Sequence, residues 1–150
     1  MAVVFQYQKL SDSRLIKGTA IVVDLLRAST TIICAIMSGA KQVIPFPDAG
    51  DAVAIANRLG GERVLGGERG GVKIPGFGLG NSPLEYTPAA VANKTVLLST
   101  TNGTGAIQAA AAARHLYIGA LINRSAVALA AARAGQDIVI VCAGTEGNFS

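Results

Sequence analysis

The chain has 150 residues, of which 51% are hydrophobic and 15% are charged, with 18 glycines and a net charge of +4. This length and composition predict one α/β domain over residues 1–150 and argue against an intrinsically disordered protein. The basic residues are scattered, without a cluster or interleaved aromatic side chains, which argues against a nucleic-acid-binding surface. A small anionic ligand fits this charge distribution better.

Several features of the sequence predict a cytoplasmic protein. Cys34 and Cys142 lie in apolar segments far apart and lack metal-ligand spacing, so we expect buried, reduced thiols. The N-terminal sequence has no basic segment followed by a long apolar run, so we predict no signal peptide. The uncharged stretch 95–113 is interrupted by polar residues at 99–103, which argues against a membrane span. An alanine-rich chain of this kind can bury a helix face against a second copy, so a homodimer is a further expectation.

In chain order, predicted strands alternate with predicted helices. The predicted strands are 3–7 at an edge, 20–24, 41–45, 63–65, 95–99, 115–121 and 137–142, and the predicted helices are 28–38, 49–59, 105–114 and 124–134. Asp48 and Asn123 are expected to cap the starts of two helices, and Gly39 and Gly135 to follow the ends of two others. The strands are continuously apolar, which predicts a mainly parallel sheet covered by helices on both faces, a three-layer α/β/α fold.

Residues 66–87 form a long glycine-rich segment without a clear helix or strand pattern. Segments of this length without regular structure are uncommon in compact domains and are usually functional or disordered. Apolar side chains recur along the segment, among them Ile74, Phe77 and Tyr86. We therefore interpret it as an ordered, functional loop.

Four predicted strands are followed by unusually polar sequences. Asp24 ends the strand at 20–24, and Arg27 and the hydroxyl residues 29–31 follow it. Glu68, Arg69 and Lys73 follow the strand at 63–65. Residues 100–105 follow the strand at 95–99, and Glu146 follows the strand at 137–142. Ligands of open parallel sheets bind outside the carboxyl ends of the strands, so we expect these groups to meet at one rim. Carboxylates suit Mg²⁺, and arginines suit phosphate or carboxylate oxygens. The pattern predicts metal-assisted chemistry on a small phosphorylated acid.

Familiar phosphate-binding motifs do not match the sequence. A Cys-x5-Arg phosphatase loop would need an arginine at position 40 or 148, and the chain has Ala40 and Asn148. An aspartyl-nucleophile phosphatase would need a second aspartate at Leu26, and the G-x-G-x-x-G fingerprint that begins at Gly103 is broken at Gln108. His115 is expected at the start of a strand, at the opposite rim, where a structural role is favoured.

Each candidate residue also has a simpler structural interpretation. Asp24 could equally cap the helix that follows it, and Glu68 and Arg69 could form a solvated pair. Asn102 could lie in an ordinary turn, and Glu146 on the surface. The arrival of such residues at several strand ends on one rim favours the functional interpretation.

Four sequence blocks resemble a known family. They are Val-Val-Asp-Leu-Leu-Arg-Ala-Ser-Thr-Thr at 22–31, Leu-Gly-Gly-Glu-Arg-Gly-Gly at 65–71, Gly-Phe-Gly-Leu-Gly-Asn-Ser-Pro-Leu-Glu-Tyr at 76–86 and Ser-Thr-Thr-Asn-Gly-Thr at 99–104. Their order and spacing closely resemble the 2-phosphosulfolactate phosphatase family (ComB type). The resemblance implies a Mg²⁺-dependent acid phosphatase that converts 2-phosphosulfolactate to sulfolactate, a step toward coenzyme M. It also implies that this chain lacks the C-terminal part of the family's proteins.

We therefore predict a site with a metal and an anion cradle. The predicted Mg²⁺ ligands are Asp24 and Glu68, with Glu146 as a third candidate. The predicted cations that hold the phosphate, carboxylate or sulfonate of the substrate are Arg27, Arg69 and Lys73. The remaining predicted substrate-binding residues are Ser29, Thr30, Thr31, Asn81, Ser82, Thr101, Asn102, Gly103 and Thr104. Two alternatives stay open: a non-catalytic anion-binding relative, and a different phosphotransfer enzyme on the same scaffold.

Overall fold

The computed structural model describes residues 1–7 and 18–145. The strands are β1 Ala2–Val4, β2 Thr19–Val23, β3 Gln42–Pro45, β4 Arg63–Arg69, β5 Val72–Lys73, β6 Thr95–Ser99, β7 His115–Gly119 and β8 Ile138–Cys142. The α-helices are α1 Ala28–Met37, α2 Ala49–Arg58, α3 Pro88–Val91, α4 Gly103–Ala109 and α5 Arg124–Ala134, and short 3-10 helices span Pro83–Glu85 and Leu121–Asn123.

The strands form two four-stranded sheets. The first sheet has the order β1-β8-β2-β7, and its strand pairs are parallel. The second has the order β3-β6-β4-β5, in which β4 and β5 form an antiparallel pair and the other pairs are parallel. The predicted α/β class with mainly parallel pairing is confirmed. The division of the strands between two sheets is a feature that the sequence did not predict.

Helices pack on both faces of the first sheet, because successive side chains of a strand point to opposite faces. Ala20 and Val22 of β2 belong to a buried cluster with Ala106 of α4. Ile21 and Val23 point the other way, where Val127 of α5 also approaches the sheet. The first sheet therefore lies between α4 and α5.

The second sheet repeats this arrangement. Val96 and Leu98 of β6 pack in a cluster with Ile32 of α1, whereas Leu97, between them in sequence, packs with Ala52 of α2. Helix α1 also contacts β7 of the first sheet, and α4 also contacts β3 of the second. Helices α1 and α4 thus lie between the sheets, and each sheet has helices on both faces, in agreement with the predicted α/β/α layering.

The segment predicted as a loop at 66–87 is ordered and partly regular. Strand β4 continues to Arg69 and forms a short hairpin with β5 through Gly70 and Gly71, whose φ angles are 57° and 82°. Ile74 and Phe77 are buried in the core. The prediction of an ordered segment is confirmed, whereas the predicted end of the strand at residue 65 was too early.

Local capping signals were mostly interpreted correctly. The Asp48 side chain accepts the N–H groups of Gly50 and Asp51 at 2.7 and 3.1 Å, and Gly39 and Gly135 have φ angles of 88° and 66°. Asn123 occupies the predicted N-cap position of α5, but its side chain makes no capping hydrogen bond to this helix. Its side chain instead bonds to the backbone of the preceding segment, at residues 118 and 120. The other boundary errors are modest, and the largest is the end of α4, which stops at residue 109 rather than 114.

Two expectations about the whole chain can be compared with the described residues. Cys34 and Cys142 are unpaired, as predicted, but each is partly rather than fully buried. Within residues 1–7 and 18–145, no helix has both the length and the apolar character needed to cross a bilayer.

Candidate functional site

The carboxyl ends of strands from both sheets meet at one pocket of about 250 Å³. Asp24 follows β2 of the first sheet, Glu68 lies near the end of β4 of the second, and Asn102 follows β6. The residues that line the pocket are Asp24, Leu26, Arg27, Glu68, Gly70, Gly71, Asn81, Thr101, Asn102 and Thr145. Residues remote in sequence therefore converge at one place, as the strand-end argument predicted. Their chemical roles stay predictions.

Asp24 lines the pocket and also binds the start of α1, whose N-cap position is Arg27. Its carboxylate accepts hydrogen bonds from the backbone N–H groups of Ala28 and Arg27, at the start of α1. Its own N–H donates to Ser29 Oγ at 2.9 Å, and the Ser29 N–H donates to the Asp24 carbonyl oxygen at 3.0 Å. The start of α1 is thus held by Asp24, in agreement with the structural interpretation of this residue, and its functional role stays a prediction.

The electrostatic environment of Asp24 disfavours its negative charge. Burial raises the pKa of the Asp24 carboxyl; the N–H of Ala28 opposes this rise, and the nearby charge of Glu68 adds to it. The N–H and the guanidinium of Arg27 act in the lowering direction, but the pKa stays above its usual value. A bound cation would favour the ionised carboxylate, because an opposite charge close by stabilises the charged form.

The environment of Glu68, unlike that of Asp24, favours the ionised carboxylate. Glu68 is 7% exposed, and its Oε1 accepts the Thr101 N–H at 2.7 Å, while its Oε2 accepts the Gly71 N–H at 2.7 Å and the Thr101 hydroxyl at 3.0 Å. Burial by itself would raise the pKa, but these three hydrogen bonds and the charge of Arg69 outweigh it and leave the pKa of Glu68 lowered. The carboxylate is therefore both ionised and fixed in orientation.

The guanidinium of Arg69 is bonded to protein atoms rather than facing the pocket. It donates to the carbonyl oxygens of Glu68 and Pro47 at 2.8 and 2.6 Å and to Ser99 Oγ at 2.8 Å. Ser99 Oγ in turn donates to the Phe46 carbonyl at 2.7 Å. Arg69 thus ties together the ends of β3, β4 and β6 and does not line the pocket, whereas Arg27 does. Its contacts support a positioning role for the segment that carries Glu68.

The predicted hydroxyl cradle of Ser29, Thr30 and Thr31 is engaged in internal hydrogen bonds. Thr30 Oγ1 donates to the Leu25 carbonyl at 2.8 Å, and Thr31 Oγ1 donates to the Asn81 carbonyl at 2.9 Å. None of these three residues lines the pocket. In this arrangement they stabilise the connection from β2 to α1 and the position of Asn81.

The segment after β6 divides between pocket and core. Thr101 and Asn102 line the pocket. Thr104 is buried and exchanges hydrogen bonds with Thr100: the Thr104 N–H donates to Thr100 Oγ1 at 3.1 Å, and the Thr100 N–H donates to Thr104 Oγ1 at 3.3 Å. Thr104 therefore fixes the start of α4 rather than contacting the pocket.

Gly103 allows a close approach between elements. A Cβ atom at this position would lie 2.5 Å from the Ala28 Cβ and 2.7 Å from Asp24 Oδ2. Any larger residue would displace the start of α1 or the Asp24 carboxylate. Gly103 is therefore placed to permit the site rather than to line it.

Four predicted site residues remain, and one of them, Asn81, lines the pocket. Asn81 is also buried. Ser82 precedes the 3-10 helix at 83–85 and lies outside the lining, and Lys73 is exposed on β5, in register with Glu68. Glu146, the third metal candidate, lies outside the described residues.

Four lining residues were not singled out from the sequence: Leu26, Gly70, Gly71 and Thr145. The N–H of Gly71 donates to Glu68, and that of Gly70 donates to Thr101 Oγ1 at 3.1 Å. The paired glycines directly after Glu68 were the available signal, because both adopt positive φ angles that favour glycine.

The donor set of the pocket fits a hard divalent cation. Within residues 1–7 and 18–145, no group of three or more His, Cys, Asp or Glu side chains could hold a metal ion. The pocket offers the carboxylates of Asp24 and Glu68, which are close enough for their charges to interact. Mg²⁺ is commonly held by one or two carboxylates, with water and substrate phosphate as further ligands. The pocket therefore resembles a Mg²⁺ site more than a zinc site, which takes three or four protein ligands.

Comparison with known proteins gives consistent matches. The family model described as 2-phosphosulpholactate phosphatase matches residues 4–150. Three similar relatives, each named "Probable 2-phosphosulfolactate phosphatase", come from Caldanaerobacter subterraneus subsp. tengcongensis, Clostridium beijerinckii and Caldicellulosiruptor saccharolyticus. They are 43%, 42% and 44% identical over 96%, 99% and 96% of this chain. The chain spans 60%, 63% and 61% of the lengths of these curated relatives.

Proposed function

Because this chain belongs to the 2-phosphosulpholactate phosphatase family, we propose that it is a phosphoric monoester hydrolase that uses Mg²⁺. The proposed substrate is a small phosphorylated hydroxy acid, and the family's name points to 2-phosphosulfolactate, with sulfolactate and phosphate as products. The observation that carries the proposal is the meeting of Asp24, Glu68 and Arg27 in one pocket at the ends of strands from both sheets.

Asp24 and Glu68 are the residues that would hold Mg²⁺. When bound, such an ion neutralises phosphate charge and promotes attack by water on the phosphorus. The raised pKa of Asp24 supports this assignment, since burial and the charge of Glu68 leave its carboxylate short of positive charge. Glu68 contributes a carboxylate whose position is already fixed by three hydrogen bonds.

Arg27 is the residue we propose for phosphate binding. It lines the pocket beside Asp24, and a guanidinium presents several N–H donors in a plane that matches phosphoryl oxygens. Negative charge spreads over these oxygens during phosphoryl transfer, so a cation fixed there stabilises the transition state more than the ground state. Thr101 and Asn102 supply polar walls on the opposite sheet.

The space at the site accommodates a small phosphorylated acid. The pocket measures about 250 Å³ and adjoins a second one of about 430 Å³ that shares Asp24, Leu26, Asn102 and Thr145 with it. The preference for a phosphatase over a nucleotide-dependent phosphotransfer enzyme therefore rests on the family match and not on volume.

The test is phosphate release from a panel of phosphorylated hydroxy acids that includes 2-phosphosulfolactate, with and without Mg²⁺. We expect release that depends on Mg²⁺ and is abolished by Asp24→Asn. ATP in the same panel tests the nucleotide-dependent alternative. If an acid binds in calorimetry but no member of the panel is hydrolysed, the chain is a non-catalytic anion-binding relative and the proposal fails.

A further inference from the structure

Asn81 is a residue of the pocket lining with an unpaired side-chain oxygen. The residue is 6% exposed and lines the pocket, and its Oδ1 is buried without a hydrogen-bond partner. Among the described residues, one other buried side-chain atom is in the same situation, Thr19 Oγ1 at the start of β2. Burial of an unpaired polar atom is unfavourable, and native proteins retain few such atoms. An unpaired atom on a residue that lines a candidate site therefore points to a contact that a ligand completes.

The backbone around Asn81 is fixed by three side chains. Thr31 Oγ1 donates to the Asn81 carbonyl oxygen at 2.9 Å. At Gly80, the N–H donates to Glu85 Oε2 at 2.8 Å and the carbonyl oxygen accepts the Tyr86 hydroxyl at 2.7 Å. Tyr86 is itself 2% exposed. These contacts fix the backbone that carries the amide, and the Asn81 side chain is itself buried, which suits a pre-organised ligand contact.

We propose that Asn81 Oδ1 is a third protein ligand, with Asp24 and Glu68, of the divalent cation in this pocket. The inference rests on the proposed Mg²⁺-dependent function. An amide oxygen accepts hydrogen bonds or coordinates hard cations, and Mg²⁺ and Ca²⁺ sites use such oxygens. The ionised phosphate, carboxylate and sulfonate of the named substrate offer no donor to this oxygen. The cation is therefore its chemically matched partner.

A neutral third ligand also suits the charge of the site. Asp24 and Glu68 bring two negative charges, and their mutual repulsion already contributes to the raised pKa of Asp24. Asn81 adds an oxygen without adding a third negative charge. The two carboxylates and the amide would then balance a divalent ion while leaving room for water and phosphate oxygens.

The experiment is a calorimetric titration of Mg²⁺ alone into the wild type, Asn81→Ala and Asn81→Asp, with thermal unfolding measured with and without Mg²⁺. We expect Asn81→Ala to weaken Mg²⁺ binding by at least about tenfold and to lose the rise in unfolding temperature caused by Mg²⁺. Asn81→Asp retains an oxygen ligand and should keep the binding. The matched control is Asn57→Ala, because Asn57 is exposed on α2, away from the pocket.

Two further variants separate ligand loss from a folding defect. Asn81→Leu removes the unpaired oxygen. Without Mg²⁺, this variant should unfold at a temperature no lower than that of the wild type. Added Mg²⁺ should no longer raise its unfolding temperature. Thr19→Val removes the other unpaired oxygen, at the opposite end of β2. It should be equally tolerated and should leave the Mg²⁺ response unchanged.

The results that would contradict the role of Asn81 differ from the result that would contradict the proposed function. If the wild type and Asn81→Ala bind Mg²⁺ equally, Asn81 is not a ligand, although the phosphatase proposal stands. If Asn81→Ala and Asn81→Asp both lose binding of inorganic phosphate but keep that of Mg²⁺, the amide faces an anion and the inference is wrong. If the wild type binds no Mg²⁺, the inference fails as well. If Asn81→Ala loses Mg²⁺ binding but no substrate is hydrolysed by the wild type, the ligand assignment stands and the proposed function fails.

Discussion

The two carboxylates of the pocket are stabilised in opposite ways. Glu68, on the second sheet, accepts three hydrogen bonds, and its pKa is lowered although burial acts against ionisation. Asp24, on the first sheet, has a raised pKa, chiefly because of burial and in spite of the N–H groups that it accepts. The surrounding groups favour the anion of Glu68 and disfavour that of Asp24, which a bound cation would stabilise. The fold thus supports the two carboxylates of the site unequally.

The largest expected effect is that of Asp24→Asn. Loss of this carboxylate should lower Mg²⁺-dependent phosphate release by at least about 10²-fold, as when a charge-stabilising group is removed from an active site. The same variant should be more stable than the wild type near neutral pH without Mg²⁺. An acid with a raised folded pKa destabilises the fold once it ionises, and the neutral amide avoids that charge.

The measurements for Asp24→Asn are phosphate release and thermal unfolding in the absence of Mg²⁺. Near wild-type turnover would rule out the proposed role of Asp24. Reduced stability in place of increased stability would show that its hydrogen bonds to the start of α1 outweigh the unfavourable burial of its charge.

Glu68→Gln should give the contrasting result, with losses of both activity and stability. The amide has a single acceptor oxygen, so it loses at least one of the hydrogen bonds from Gly71 and Thr101, and each such bond contributes about 0.5–1.5 kcal/mol to the unfolding free energy. Urea unfolding near neutral pH measures this change. A variant as stable as the wild type would contradict the hydrogen-bonded arrangement of Glu68.

The lowered pKa of Glu68 also predicts a pH dependence of stability. Its stabilising contribution is fully present above the pKa of an unfolded glutamate and is lost as the pH falls through the lower folded value. The wild type should therefore lose more stability on acidification than Glu68→Gln does. Parallel pH profiles of the two proteins in urea unfolding would contradict this.

Much of the fold could be predicted because its signals are local. The strands near 20–24 and 95–99 are short apolar runs, and Asp48 and Gly135 carry capping signals that need no tertiary information. The convergence of Asp24 with Glu68 also followed from a general rule about strand ends.

What could not be predicted depends on tertiary contacts. Which strands pair is decided between residues far apart in sequence, so the division into two sheets left no local pattern. The sequence around Arg69 predicted a side chain that binds the substrate. Its hydrogen bonds to the Pro47 carbonyl and the Ser99 hydroxyl form only in the folded chain, so they left no signal in the sequence. Asparagine is a common N-cap residue, yet the Asn123 side chain forms its hydrogen bonds with backbone groups of the preceding segment.

Gly103→Ala should have an intermediate effect that acts through Asp24. The added Cβ would lie 2.7 Å from Asp24 Oδ2 and 2.5 Å from the Ala28 Cβ, so the carboxylate or the start of α1 must shift. We expect a loss of about 1–3 kcal/mol in unfolding free energy and weaker Mg²⁺ binding. Gly60→Ala, where an added Cβ would meet no atom within 4 Å, serves as a control for the general effect of a glycine-to-alanine change. Unchanged Mg²⁺ affinity in Gly103→Ala would show that the carboxylate is not held by this close approach.

The smallest expected effect on chemistry is that of Arg69→Lys, which separates the two interpretations of this residue. In the structure, the guanidinium holds Glu68 through the backbone and lines no part of the pocket. Lysine cannot reproduce three hydrogen bonds in a plane, so stability should fall by about 0.5–1.5 kcal/mol for each bond lost. If Arg69 only positions Glu68, kcat should fall with little change in KM, because the substrate does not touch it. A rise in KM with kcat unchanged would instead mean that Arg69 binds substrate, as its sequence context predicts, and that its contacts rearrange when the ligand enters.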